Sequence, residues 1–316
     1  MLHLDAAATS PVREEALAAA WPFLTASFGN PSSTHGLGEE AAAALADARK
    51  SVAAVLGCRA TEIVFTSGGT EANNLAVKGL ALGDPRGRHV VTSRLEHESV
   101  LASVDALVRL HGFEVSFVDV DARGTVSAES LAAALRDDTT LVSLSTANNE
   151  VGTVQDIAAL TVVAHARGVP FHTDAIQAAG SLDISMPSTG VDALSVSGHK
   201  FGAPKGVGVL AVRSRLPLEP LIHGGGQERG RRSGTENVAF AVAFAVALRL
   251  ADDERRAGQL DAVSARDAFV AALLGSIPGA RLTGHASARL PRHASLVIPG
   301  INGETVLLEL EQHGVL

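Results

Sequence analysis

The stretch that decides the fold is SVSGHKFGAPKGVGVL, residues 195–210, in which an apolar strand runs into a glycine-rich turn carrying Lys200. A lysine at such a place is partly desolvated, which lowers its pKa and makes the neutral amine a better nucleophile. Ser197 and His199 flank it as hydrogen-bond donors. A lysine in a surface loop is the commoner case, but the flanking Ser-x-His-Lys pattern and the glycines favour a reactive lysine.

Outward from this stretch, short β-branched runs alternate with Ala/Leu-rich helical patterns. The alternation predicts βαβ units and a mainly parallel sheet flanked by helices, the α/β class. The predicted strands are Glu62–Thr66, His89–Ser93, Glu114–Val118, Leu141–Ser145, Pro170–His172, Ala193–Val196 and Val207–Val212. The predicted helices are Gly38–Leu56, Glu71–Leu82, Ser99–His111, Ala128–Leu135, Ile157–Arg167, Asn237–Arg256, Leu260–Leu274 and Gly303–His313. Since ligands on such sheets sit beyond the carboxyl ends of the strands, the residues that follow the strands are expected to form the site.

The length of 316 residues predicts one large domain and a smaller one. The long helical pattern near residue 250 is expected to link them. We therefore assign residues 11–250 to a large α/β domain, and residues 1–10 together with 251–316 to a small α+β domain.

The composition narrows the function classes. The net charge of −8 argues against a nucleic-acid partner, whose phosphates favour a basic face. No apolar stretch approaches the roughly 18 residues of a membrane span. The N-terminus MLHLDAAATSP lacks the features of a signal peptide, so a cytoplasmic location is expected. Cys58 is the one cysteine, which excludes a disulfide within the chain, and no Cys/His spacing is typical of zinc, so no metal is expected.

A candidate anion site is TSGGTEANN, residues 66–74, between a predicted strand and a predicted helix. Gly68 and Gly69 allow close approach of the backbone, and Thr70 adds a hydroxyl. Free N–H groups and the helix dipole favour an anion there, most often phosphate. An ordinary helix cap with a turn is the alternative interpretation.

Three further strand ends carry polar side chains. Asp174 ends the strand in FHTDAIQAAG, with Gln177 one helical turn later; it can pair with a protonated heteroaromatic nitrogen or simply cap a helix. His97, in SRLEHESV, can stack on a flat ring or move protons, or be structural. Asn148 follows a strand in STANNEVGT. The loop HGGGQERGRRSGTEN, residues 223–237, suggests anion binding or a flexible surface loop.

Together these sites supply a phosphate cradle, an imidazole, an amide, a carboxylate and a lysine. Pyridoxal 5′-phosphate uses that set, with its aldehyde for a lysine and its pyridine nitrogen for an acid. The sequence therefore predicts a pyridoxal-phosphate enzyme.

At this point the chain resembles the cysteine desulfurases, in the class V aminotransferase group of fold type I pyridoxal-phosphate enzymes. GNPSS-x-H and the RSGT loop are similar to the housekeeping, NifS/IscS-like subgroup that serves iron–sulfur cluster assembly and tRNA thiolation. The resemblance is carried by LDAAATSP, FGNPSSTHGLG (28–38), TSGGTEANN, ANNEVGT, DAIQAAG, SGHKFGAPKGVG and GGGQERGRRSGTEN.

The resemblance implies a role for each matched residue. Lys200 would bond to the cofactor aldehyde and later move protons on the substrate, and Asp174 would keep the pyridine nitrogen protonated. His97 would stack on the ring and act as an acid/base, and Gln177 would hydrogen-bond the phenolic oxygen. Asn148 would contact the cofactor or the substrate carboxylate. The residues expected to hold the phosphate are Gly69, Thr70, Ser197 and His199. Asn30 is expected to contact the substrate, and Thr235 the phosphate of a neighbouring subunit's cofactor in a homodimer.

The implied function is desulfuration of L-cysteine to L-alanine, with the sulfur passed through a protein persulfide to an iron–sulfur scaffold or a tRNA-thiolation protein. The family's sulfur-accepting cysteine lies on a loop that would follow Leu316, so we expect these 316 residues to hold the cofactor without catalytic turnover. Cys58 follows a helix far from that loop and is interpreted as structural. The alternatives are another class V lyase or transaminase, which needs no mobile cysteine, and a non-catalytic protein that keeps the fold to bind a partner.

Overall fold

A seven-stranded sheet organises the chain. The computed structural model describes residues 1–258 and 260–316. The strands are β1 (Ile63–Thr66), β2 (His89–Thr92), β3 (Glu114–Phe117), β4 (Thr139–Ser143), β5 (Phe171–Asp174), β6 (Ala193–Ser197) and β7 (Gly208–Val212). Their order is β1-β7-β6-β5-β4-β2-β3, and β7 runs antiparallel to both of its neighbours while the β6-to-β3 part is parallel. The predicted mainly parallel α/β sheet is confirmed.

Helices cover both faces of this sheet. They are α1 (Glu14–Thr25), α2 (Gly36–Leu56), α3 (Gly69–Gly83), α4 (Glu98–His111), α5 (Ala128–Ala134), α6 (Ile157–Ala166), α7 (Met186–Thr189), α8 (Val238–Ala257), α9 (Leu260–Ser276) and α10 (Gly303–Gln312). Alternation along the strands feeds two cores: in β1, Val64 packs with α3 and α4, whereas Ile63 and Phe65 pack with α2 and α8. Burial on both faces explains why the strands read as short continuous apolar runs.

Two local differences from the sequence predictions have physical reasons. Helix α1 was not predicted; it forms although Pro22 lies within it, with Ala16 and Ala20 buried one turn apart against the core. Glu62 was predicted in a strand but lies in a 3₁₀ turn, where its carboxylate accepts hydrogen bonds from Arg59. The side chain thus closes a turn instead of joining the sheet.

The C-terminal part forms a second, two-stranded sheet. Strands β8 (Arg281–Leu282) and β9 (Leu296–Val297) pair antiparallel. The N-terminal residues pair with the end of the chain, through the backbone hydrogen bond from Leu2 to Gly314 at 2.7 Å. This pairing is in keeping with the assignment of residues 1–10 to the small domain, which stays a prediction. Within the described residues, no helix combines the length and the apolar character needed to cross a bilayer.

Candidate active site

One cavity of about 510 Å³ lies at the carboxyl ends of β2, β4, β5 and β6. Its size is in the range of cofactor sites. Nine residues singled out from the sequence line it: Gly69, Thr70, His97, Asn148, Asp174, Gln177, Ser197, His199 and Lys200. The structure therefore brings together residues that are separated by up to 131 positions in the chain, from Gly69 to Lys200.

Lys200 lies on the 3₁₀ turn that follows β6. Its Nζ donates to the backbone oxygens of Ala7 and Ala8, the latter at 3.0 Å. Gln177 Nε2 donates to the same Ala7 oxygen at 3.0 Å. Burial lowers the pKa of Lys200, opposed by the nearby charge of Asp174. The N-terminal segment thus lies against the lysine, a contact that the sequence motif LDAAATSP gave no means of predicting.

Asp174 is the last residue of β5 and is 7% exposed. Its Oδ1 accepts from the backbone N–H of Ile176 at 2.9 Å, and its Oδ2 accepts from Asn73 Nδ2 at 2.6 Å. Burial raises the pKa of Asp174, and these hydrogen bonds oppose the rise. A buried carboxylate with fixed oxygens suits a cationic partner such as a protonated pyridine nitrogen.

The expected phosphate end is the N-terminus of α3. Gly69 N–H donates to Ser197 Oγ at 3.2 Å. A Cβ on Gly69 would lie 2.2 Å from Ile176 Cδ1 and 3.1 Å from Ser197 Cβ, so a side chain here would have to displace the end of Ile176. Burial lowers the pKa of His199, whose Nδ1 is 3.2 Å from Thr9 Oγ1. Backbone N–H groups and a hydroxyl therefore converge at a helix end, an arrangement that accepts an anion.

His97 and Asn148 approach the cavity from two neighbouring loops. His97 caps α4, and its Nδ1 accepts from the backbone N–H of Ser99 at 3.0 Å. Asn148 Oδ1 accepts from Glu150 N and Val151 N, both at 2.9 Å. The Asn148 amide therefore already shapes its own loop, and its expected contact with cofactor or substrate stays a prediction.

Two buried polar residues of the site were missed at the level of sequence. Asn73 links Asp174 to Ser99, whose Oγ it reaches at 2.9 Å. Glu96 Oε1 accepts from Ser145 N at 2.9 Å, while its Oε2 is buried with no hydrogen-bond partner among the described residues. Burial raises the pKa of Glu96 to about 8. The position of Glu96 directly before His97, at a strand end, was the available signal.

Asn30 and Thr235 do not line the cavity. Both are exposed, and Asn30 Oδ1 accepts from Ser32 N at 2.9 Å. The loop that carries Thr235 is tied to α3 by an ion pair between Arg232 and Glu71 at 2.8 Å. It is also anchored by Glu228, buried against Arg49 at 2.6 Å. Within one chain, Asn30 and Thr235 therefore do not make the contact with the cavity that their expected roles require.

Cys58 does not line this cavity either. It follows α2 and borders a separate depression with Arg213 and Arg215. Burial raises the pKa of the Cys58 thiol to about 12, and Glu62 adds to the rise. Because the thiolate is the reactive form, this thiol is poorly suited to nucleophilic chemistry.

Pyridoxal phosphate fits the residues that are present. An amine, a buried carboxylate and a helix N-terminus that begins with Gly69 border one cavity, and they match the aldehyde, the ring nitrogen and the phosphate of that cofactor. The charges of the site are complementary to a cation beside Asp174 and an anion beside Gly69. The cofactor supplies both in one molecule.

Comparison with known proteins agrees with this geometry. The family model described as aminotransferase class-V matches residues 2–316. The cysteine desulfurase IscS of Dictyoglomus turgidum is 42% identical over 315 residues, covering 99% of this chain and 80% of the relative. A solved structure titled NifS-like protein superposes with a TM-score of 0.95 at 38% identity, covering 99% of this chain and 86% of that one. A second, titled SspA in complex with cysteine, has a TM-score of 0.86 at 35% identity, covering 100% and 88%. The chain belongs to the class-V aminotransferase family, whose members depend on pyridoxal phosphate.

Proposed function

We propose that this protein is a cysteine desulfurase that removes sulfur from L-cysteine and leaves L-alanine. The observation that carries the proposal is the convergence of Lys200, Asp174, His97 and the glycine-bounded end of α3 on one cavity. The names of its relatives, and the cysteine complex of a neighbour, support the choice of substrate.

Bound pyridoxal phosphate withdraws electrons from the substrate carbon. The residues of this chain hold and orient that group. With the cofactor bound, Asp174 would keep a proton on the ring nitrogen, and the N-terminus of α3 together with Ser197 Oγ would hold the phosphate. Lys200, half-buried beside Asp174, is placed to accept and return protons at the substrate carbon, because burial lowers the pKa of its ammonium group.

Desulfuration also needs a thiolate. The thiolate attacks the sulfur of L-cysteine, so that an S–S bond forms and the C–S bond breaks. The electron pair of the C–S bond stays on carbon, which takes up a proton. Cys58 is the only thiol of the 316 residues, and it lies outside the cavity with a raised pKa. We therefore propose that another residue, or another polypeptide, supplies the acceptor thiol.

The test is a comparison of two polypeptides loaded with pyridoxal phosphate. The one limited to these 316 residues should show a saturable absorbance change with L-cysteine but less than one alanine formed per site. Reading the gene past codon 316 for a cysteine codon, and assaying the product that includes it, should give catalytic alanine and sulfide. Pyruvate and ammonia in place of alanine would show another class V lyase.

We further propose that the active form is a homodimer. Helix α1 and the loop after it expose large apolar side chains, with Trp21 61% and Phe28 67% exposed. An apolar face of this kind is typical of a protein–protein contact. Thr235, exposed on an anchored loop, would then reach the cofactor phosphate of the second copy. Light scattering should give twice the chain mass, and Trp21→Glu should give the monomer with weakened cofactor binding; a wild-type monomer that binds the cofactor fully would contradict the proposal.

The expected sulfur acceptors, an iron–sulfur scaffold or a tRNA-thiolation protein, and the expected cytoplasmic location stay predictions. Acceptor identity is open to a direct experiment. Enzyme that includes the acceptor thiol, persulfidated with ³⁵S-labelled L-cysteine, should pass its label to the true acceptor, and not to albumin carrying a free thiol.

A further inference from the structure

A buried hydrogen-bond chain joins Asp174, expected at the ring nitrogen of the cofactor, to His97, expected to stack on the ring. Asn73 is fully buried, and its Nδ2 donates both to Asp174 Oδ2 at 2.6 Å and to Ser99 Oγ at 2.9 Å. Ser99 Oγ in turn lies 2.8 Å from His97 Nδ1. Four side chains from α3, α4 and β5 thus form one continuous chain of contacts.

The donors along this chain can be assigned. If the Asn73 amide were turned over, its oxygen would face a carboxylate oxygen of Asp174, so the NH₂ group faces Asp174. The two amide hydrogens are then used by Asp174 and Ser99, and Asn73 Oδ1 is left buried without a partner. Since Ser99 Oγ accepts from Asn73, its own hydrogen is free to be donated to His97 Nδ1.

The backbone decides the state of the imidazole. The N–H of Ser99 also points to His97 Nδ1, at 3.0 Å, because His97 is the N-cap of α4. A main-chain N–H cannot turn into an acceptor, so a proton on Nδ1 would face this donor. The ring nitrogen at this position must therefore carry a lone pair, and the neutral ring must carry its proton on Nε2.

From this geometry we infer that Asn73 and Ser99 are positioning residues that hold His97 as the Nε2-protonated imidazole and fix the Asp174 carboxylate with the same amide. In that form His97 Nε2 is a hydrogen-bond donor toward cofactor or substrate and cannot accept a proton there. The inference narrows the acid/base role that the family resemblance implies for His97 and leaves proton acceptance to Lys200. It rests on the proposed cofactor site and not on the identity of the substrate.

The first test is nitrogen NMR on protein labelled with ¹⁵N-histidine and loaded with pyridoxal phosphate, with His97→Gln used only to assign the signal among the 12 histidines. Long-range ¹H–¹⁵N correlations distinguish the two tautomers. We expect the Nε2-protonated pattern. Ser99→Ala should move the Nδ1 resonance downfield, because one of two donors is lost. Ser103→Ala is the matched control, since this buried hydroxyl on the same helix donates to Ser99 O and not to the imidazole; it should leave the resonance in place.

The second test measures cofactor binding by absorbance titration with pyridoxal phosphate. Asn73→Ala removes one donor to a charged carboxylate, so the dissociation constant should rise roughly 10- to 100-fold. Asn74→Ala, whose amide donates to Thr70 O on the outer side of α3, should change it by less than about 3-fold. Neither test needs turnover of L-cysteine, so a failure of the desulfurase proposal is distinguishable from a failure of this inference.

Three results would overturn the inference: the Nδ1-protonated pattern in the wild-type protein, equal shifts in Ser99→Ala and Ser103→Ala, or equal affinities in Asn73→Ala and Asn74→Ala. The wild-type spectrum alone tests the tautomer if Asn73→Ala does not fold.

Discussion

Replacing Glu96 with glutamine should stabilise the folded protein at neutral and alkaline pH. The carboxyl is 6% exposed, and burial raises its pKa from 4.5 to about 8. Its pKa in the folded state thus lies above the value in the unfolded chain. Between the two values the folded state keeps a proton that the unfolded chain has lost, so stability falls as the pH rises.

The magnitude follows from the shift. Each pKa unit corresponds to about 1.4 kcal/mol, so the full shift is worth roughly 5 kcal/mol above pH 8 and about 3 kcal/mol at pH 7. Glutamine keeps an oxygen that can accept from Ser145 N and Oγ, and it removes the titration. The advantage of Glu96→Gln should therefore be near its minimum at about pH 5 and grow by roughly 1 kcal/mol per unit up to about pH 8.

The assay is urea unfolding of cofactor-free protein, followed by circular dichroism at several pH values from about 5 to 9. The quantity compared is the change with pH of the free-energy difference between variant and wild type, in which any constant packing effect of the amide cancels. Glu98→Gln, two residues along and exposed, is the matched control and should show no such slope. A difference that stays flat across the range for Glu96→Gln would refute the reasoning, since it would mean that the buried carboxyl is ionised in the folded state.

Three further outcomes are expected. Borohydride reduction of the loaded protein should fix pyridoxal phosphate to Lys200, and Lys200→Ala should release the cofactor on denaturation. Cofactor that stays bound to the reduced and denatured Lys200→Ala protein would contradict the assignment. Arg49→Met leaves Glu228 buried without its ion-pair partner and should lower the free energy of unfolding by about 3–5 kcal/mol. Arg109→Met, at the exposed ion pair with Asp105, should lower it by about 1 kcal/mol or less, both measured in urea. Iodoacetamide should alkylate Cys58 roughly a thousandfold more slowly than a free thiol at pH 8, because burial raises its pKa to about 12; equal rates in mass spectrometry would count against burial.

Much of the framework was open to prediction from the sequence. All seven strands of the sheet were predicted near their observed bounds, because short strand-like runs are separated by helical patterns; six of the strands are buried along their whole length, and the edge strand β3 is partly exposed. Nine site residues line one cavity because strand ends of a parallel sheet meet at one edge. The local sequence pattern was enough to predict a residue's role wherever that role follows from the residue's place at the end of a strand or a helix.

The rest depended on contacts between distant segments. Asn73 lies in the interior of α3, where an amide reads as an unremarkable polar residue, and its partner Asp174 is 101 positions away. Helix α1 contains Pro22 and still forms, with Ala16, Ala20 and the partly buried Phe23 packed against the core, contacts that the local pattern does not show.

The two buried carboxyls of the site explain why one of them has to be neutral. The charge of Asp174 contributes to the raised pKa of Glu96, so the two groups are close enough to repel when both are ionised. Asp174 has the donors Asn73 and Ile176 on its two oxygens, whereas one Glu96 oxygen has none among the described residues. The negative charge is therefore held more easily on Asp174. A protonated Glu96 leaves Asp174 as the single charged carboxylate of this pair, opposite the ring nitrogen that Asp174 is expected to keep protonated.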